Sequence, residues 1–327
     1  MKNYSIIKQP VSIIIATLLL VIVPSAIGLL AEYASLPSPA DMPLGILLDS
    51  LQMRPVTALL FASINAVLIN SIIVRYSLAK AKTFLPLTLY FISACPMMLS
   101  SLHPSIAIFQ FILILSTYCA INSFRRSYQF QNVFIAAFYL GILPLLFSDA
   151  IFLLPLLPVT LSIYHRTLRE AVTSLFGLLT PWVLASTAWW IAGFGFDYTF
   201  SCLAQQLHLI PNPAATTVLI SQMPLPNMIF SALFVSICIF ATFVIIKNFN
   251  TSHNRYQKIL AHFLWMSLFA AATLLSGHGI MVTTSVLTIS GTVFMTYFFS
   301  VFRGWIPLLL YIVLTAMSVW TSIMSIL

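Results

Sequence analysis

The chain has 327 residues, of which 61% are hydrophobic and 6% charged, with a mean hydropathy of +1.04. So few charges exclude a soluble globular domain, and the net charge of +8 is spread over short loops instead of forming a patch that could track a nucleic acid. The apolar runs are continuous and lack the period-two alternation of a membrane barrel. They point to helices that cross a bilayer, whose hydrocarbon core takes about 20 helical residues to span.

In chain order, MKNYSIIKQP leads into VSIIIATLLLVIVPSAIGLL. The apolar stretch is too long for a signal peptide and no small-x-small cleavage site follows, so it reads as an uncleaved first membrane helix. Hydropathy then predicts eleven segments in all, near 11–31, 56–75, 84–101, 104–122, 131–147, 150–164, 171–194, 227–246, 259–276, 279–299 and 305–325. The first loop of substance, 32–55, contains PLGILLDSLQM, whose apolar spacing predicts a short amphipathic helix along the membrane surface. Tight hairpins turn at His103-Pro104 and at Ser148-Asp149. The second long loop, 195–226, has two apolar patches split by Pro211-Asn212-Pro213 and could fold back as a re-entrant element. No internal repeat is visible. The expected fold is all-α, a single polytopic transmembrane domain over residues 1–327.

The charges orient this bundle. Lys2, Lys8, Arg75, Lys80, Lys82, Arg125, Arg126, Arg166, Arg169, Lys247, Arg255, Lys258 and Arg303 fall in one set of loops. Glu32, Asp41, Asp49, Asp149 and Asp197 fall in the other, with Arg54 as the lone cation there. Lys and Arg favour the cytoplasmic side, so the N-terminus is expected inside and the C-terminus outside, in a bacterial inner membrane. This partition also predicts an interior cleared of ionisable groups.

What chemistry there is should therefore sit in the acidic loops. Glu32 follows directly on the first helix, and Asp49 ends the surface helix. A carboxylate at a membrane boundary can act as a general base or hold a divalent cation. Asp41, before Met-Pro, reads as a helix cap. Two readings stand for Arg54: an ion pair with Asp49, or a contact to the phosphate of a lipid headgroup. Asp149 either caps the sixth segment or lines the mouth of an external cavity. His103, His208 and His278 are expected on the same face, His278 in a Ser-Gly-His-Gly turn, and their spacing is not that of a metal site. On the basic face, Arg166 and Glu170 are spaced to pair as i,i+4, either as a simple anchor or beside an anionic lipid headgroup. Asn65, Asn70, Gln110 and Asn122 are expected to bond neighbouring helices. Three of the four cysteines, Cys95, Cys119 and Cys238, lie in predicted helices and Cys202 in a loop, with no CxxC and no disulfide framework. There is no P-loop, dinucleotide fingerprint, serine elbow or HExxH.

The run YHRTLREAVTSLFGLLTPW, Tyr164 to Trp182, resembles a segment of an uncharacterised bacterial family of polytopic membrane proteins of similar length. That resemblance implies a membrane-embedded class and no particular activity. The overall layout is similar to that of polytopic glycosyltransferases that use polyprenyl-phosphate sugars, whose first external loop is acidic and lies partly along the membrane. Here Glu32, Asp41 and Asp49 match that loop in kind. The paired acidic motif is missing, since Tyr33 follows Glu32, and no external C-terminal domain is expected. The resemblance implies Glu32 or Asp49 as base or metal ligand, Arg54 on the lipid-linked phosphate, and Asp149 and His278 near the substrate. The alternatives are a transporter or lipid flippase, and a non-catalytic subunit or scaffold with partners in the cell envelope.

Overall fold

The computed structural model describes residues 11–32, 40–49, 54–78, 83–98, 104–123, 129–206, 225–248, 254–274, 279–302 and 305–324. Its elements are α1 Val11–Glu32, α2 Pro43–Asp49, α3 Arg54–Arg75, α4 Leu85–Met98, α5 Pro104–Asn122 and α6 Phe130–Leu146. A 3-10 turn, Ser148–Leu153, leads into α7 Leu156–Ile163 and α8 Leu168–Ile191. Then follow α9 Tyr198–Gln206, α10 Leu225–Lys247, α11 Asn254–Thr273, α12 Ile280–Val301 and α13 Trp305–Met324. There is no strand among the described residues.

Each of the eleven predicted segments coincides with helical structure. Among the described residues six stretches are long and apolar enough to cross a membrane: Val56–Arg75, Pro104–Asn122, Leu168–Ile191, Leu225–Lys247, Ile280–Val301 and Trp305–Met324. The expected segment at 150–164 is not one helix. It is the 3-10 turn followed by α7, divided where Pro155 cannot donate to a helical bond.

Helix α12 is the axis of the bundle. In its membrane-length window 83% of residues are buried, against 28% in α8. It packs on α4, α5, α10 and α11. Its buried Thr288, Ser290, Thr292 and Thr296 donate to carbonyls four residues back in the same helix, so small side chains face its neighbours without orphaned hydroxyls. On one flank α3, α5, α6 and α8 pack in succession. The α6–α8 contact rests on glycine: a side chain at Gly177 would come within 2.5 Å of the Phe134 carbonyl oxygen, and one at Gly141 would collide with that of Leu178. Backbone therefore lies against backbone, the packing that small residues allow in lipid. The outer face of α8 carries exposed Leu175, Phe176, Leu179 and Val183, as a lipid-facing helix should.

Candidate functional site

Two ends of the bundle are defined by contacts between distant parts of the chain. At one end Asp41 meets Ser148, 107 residues away. Its carboxylate accepts the Ser148 backbone N–H at 3.0 and 3.2 Å and also the Ser148 hydroxyl. Asp41 is expected as the cap of its own surface helix; its described bonds go instead to the 3-10 turn. That turn needs an outside acceptor because its own capping residue, Phe147, supplies no side-chain bond. The start of the expected helix is present as α2, Pro43–Asp49, which packs on α5 and α6; the rest of its apolar pattern lies outside the described residues. A Cβ on Gly45 would lie 2.6 Å from the Leu146 carbonyl oxygen, so α2 rests directly on the end of α6.

Helix α9 supplies the second wall of this end. It packs on α8 through an aromatic cluster: Phe194 and Tyr198 at 4.7 Å, Trp189 and Tyr198 at 5.5 Å, and Trp182 stacked on Phe200 at 5.4 Å. Such belts mark the membrane–water boundary. A hydrogen bond with the Cys202 thiol pushes the half-buried Tyr198 hydroxyl above its ordinary range. Between α2, α6, α8 and α9 lies a partly open cavity of about 210 Å³, lined by Met42, Leu44, Leu145, Ala188, Trp189 and Thr199 among others. Residues of both long loops, Met42, Pro43 and Leu44 from the first and Thr199 from the second, thus line one cavity.

The opposite end gathers basic residues. Arg75 bonds the Tyr118 hydroxyl, Tyr76 bonds Asn122, and the Tyr256 hydroxyl donates to the Leu78 carbonyl at 3.0 Å. Helix α7 ends in a Schellman turn, with Arg166 N–H on Leu161 and His165 N–H on Ser162, and His165 takes the left-handed position at φ 51°. Thr167 then opens α8 with a capping box closed by Glu170. The expected Arg166–Glu170 pair is formed at 3.3 Å, with side chains only 7% and 2% exposed. Glu170 also accepts the Gln129 backbone N–H at 2.9 Å, capping the start of α6. Arg166 is therefore part of a buried knot joining three helices.

In the interior, Asn65 donates to the Ala107 carbonyl at 3.0 Å, Tyr90 donates to Gln110, and Gln110 reaches the Ser285 carbonyl at 3.3 Å. These bonds tie α3, α4, α5 and α12 together. The expectation of an interior free of ionisable groups is corrected by His262 on α11, which is 2% exposed. Thr160 gives its hydroxyl proton to the Leu156 carbonyl at 2.6 Å, so His262 Nδ1 donates to Thr160 at 3.2 Å. That assigns a bare lone pair to Nε2, which is buried with no hydrogen-bond partner among the described residues. The signal for His262 was in the sequence, as an ionisable side chain inside an apolar run. The charge partition passed over it because neutral histidine is not counted there.

Of the expected site residues, Asp149 is buried in the first turn of the 3-10 helix and does not line the cavity. The lining at this point includes Met42, Pro43 and Leu44, while the 3-10 turn packs against α6 and α11. Glu32 and Asp49 end α1 and α2, and Arg54 begins α3. The side chains of these three lie outside the described residues, as do His103, His208, His278 and positions 207–224. Among the described residues no group of three or more His, Cys, Asp or Glu comes together to hold a metal.

Comparison with protein-family models, with curated proteins and with solved structures returns no match. What the fold defines is a class: a multi-pass membrane protein, all-helical over the described residues, with an acidic end to which the short helices α2 and α9 contribute and a basic end held by a buried ion pair.

Proposed function

We propose that this chain is a glycosyltransferase-like protein of the bacterial inner membrane that handles a lipid-linked sugar or sugar phosphate at its external face. In this reading all eleven segments cross the membrane, the N-terminus is cytoplasmic and the acidic end is outside. One observation supports it: Asp41 pins α2 over the end of α6, so α2, which Asp49 ends, lies where the acidic stretch 32–55 meets the apolar bundle. A lipid-linked donor needs an apolar surface and a polar one side by side at the interface. Glu32 or Asp49 takes the proton of the acceptor hydroxyl, directly or through a divalent cation. The acceptor oxygen attacks the anomeric carbon and the lipid phosphate leaves, its charge met by Arg54.

The test is consumption of a polyprenyl-phosphate-linked sugar by purified protein in liposomes. Changing Glu32→Gln and Asp49→Asn together should lower turnover by about 10²-fold or more, the usual worth of a positioned acid or base. Unchanged turnover in a normally folded double variant rejects the reading.

A second reading, a non-catalytic subunit of an envelope complex, is favoured by the employment of Asp41 in fastening the 3-10 turn and by the burial of Asp149 within it. Stoichiometric partners retained through purification of the chain, with no sugar turnover, support that alternative.

A further inference from the structure

The cavity at the acidic end has a wall chemistry that narrows its occupant. Its lining side chains are apolar apart from the Trp189 indole N–H and Thr199, which is 2% exposed and whose Oγ1 has no hydrogen-bond partner among the described residues. Among the described residues it is the only threonine whose buried hydroxyl lacks a partner, although Ser186, Ser318 and Tyr311 also carry unpartnered hydroxyls. Thr117, Thr160, Thr292 and Thr296 all donate to a carbonyl one turn back in their own helices. Thr199 sits at the second position of α9, with no preceding helical turn to receive its proton.

Water is a poor occupant. A buried water needs two to four polar partners, and the side chains of this wall offer no more than the Thr199 hydroxyl and the Trp189 indole N–H. The volume of about 210 Å³ exceeds that of apolar cavities able to hold a benzene molecule, and is too small for a whole lipid. Beside the lining residues in the sequence stand Leu184, Trp190, Ile191 and Phe200, all exposed and apolar, so the rim is continuous with a lipid-facing surface. The aromatic cluster of Trp189, Phe194 and Tyr198 puts this end at the level where phospholipid ester carbonyls lie.

We infer that the cavity between α2, α6, α8 and α9 binds the head-proximal part of one acyl chain of a membrane phospholipid, with the Thr199 hydroxyl donating to its ester carbonyl. This site is independent of the acidic-loop chemistry proposed above. It holds a structural or regulatory lipid and not the sugar carrier.

The test uses the full chain in nanodiscs containing a phosphatidylcholine with a photoreactive diazirine near the head of one acyl chain, and maps the labelled peptides. The label should concentrate on residues 185–192 and on α9. Ala188→Phe, which fills the cavity, should reduce that label about ten-fold, as expected when a pocket is blocked. Leu179→Phe, on the exposed face of α8, should leave it unchanged. An ether-linked analogue, lacking the carbonyl, should label roughly five-fold less than the ester, the worth of one neutral hydrogen bond, and Thr199→Val should abolish that difference. If Ala188→Phe fails to fold, the ester–ether comparison in Thr199→Val decides alone. Even labelling along α8, equal labelling in Ala188→Phe, or no ester–ether difference in the native protein overturns the proposal. So does displacement of the label by polyprenyl phosphate but not by unlabelled phosphatidylcholine, which would assign the cavity to the sugar carrier.

Discussion

Glu170 is an acidic residue among basic loops, and its surroundings explain why it is there. It closes the capping box of α8, pairs with Arg166 and caps α6 through Gln129. Removing it by Glu170→Ala leaves the Arg166 guanidinium buried without its counter-charge. A change of this kind costs about 3–5 kcal/mol. Thermal unfolding in detergent should therefore show a large drop for Glu170→Ala and a much smaller one for Arg169→Ala, since Arg169 is exposed. The i,i+4 spacing made the Arg166 pair readable from sequence. The Gln129 contact was not readable, because it joins positions 41 apart whose meeting depends on how α6 and α8 pack. Asp41 makes the same point. A capping role could be read from its residue type, but its partner 107 residues away could not.

At the scale of elements, apolar runs located the helices well because in lipid the backbone must satisfy its own hydrogen bonds. The exception is 150–164, where the hydropathy of a span is present but Pro155 and the 3-10 turn shorten it. Helix pairing was invisible to hydropathy, since it depends on small residues and not on apolar ones. The α6–α8 contact is the clearest case. Gly177→Val would push a side chain into the Phe134 carbonyl and separate the two helices. Overpacking of this sort costs about 1–3 kcal/mol. The change should lower the unfolding midpoint, whereas Val183→Ala, on the exposed face of the same helix, should leave it nearly unchanged. The cavity at the acidic end was also beyond sequence reading, because its walls are ordinary apolar residues drawn from four elements.

Over the whole molecule, the charge partition gains support from contacts it did not use. The first loop, the 148–149 hairpin and α9 come together at one end, and residues 75–78, 122, 129, 166–170 and 256 at the other. Glu32, Asp49 and Arg54 were singled out by position in the sequence, and they stand at the ends of α1 and α2 and at the start of α3. The function proposed for the acidic end depends on its facing away from the cytoplasm. Helix α8 connects the two ends, with exposed Arg169 at its start and exposed Asp197 just past its finish. With Cys95, Cys119, Cys202 and Cys238 replaced by alanine, Asp197→Cys and Arg169→Cys can each be probed in intact cells with a membrane-impermeant maleimide. The account predicts labelling of Asp197→Cys in intact cells and of Arg169→Cys only after the inner membrane is permeabilised. The reverse pattern would place the acidic end in the cytoplasm and contradict the account.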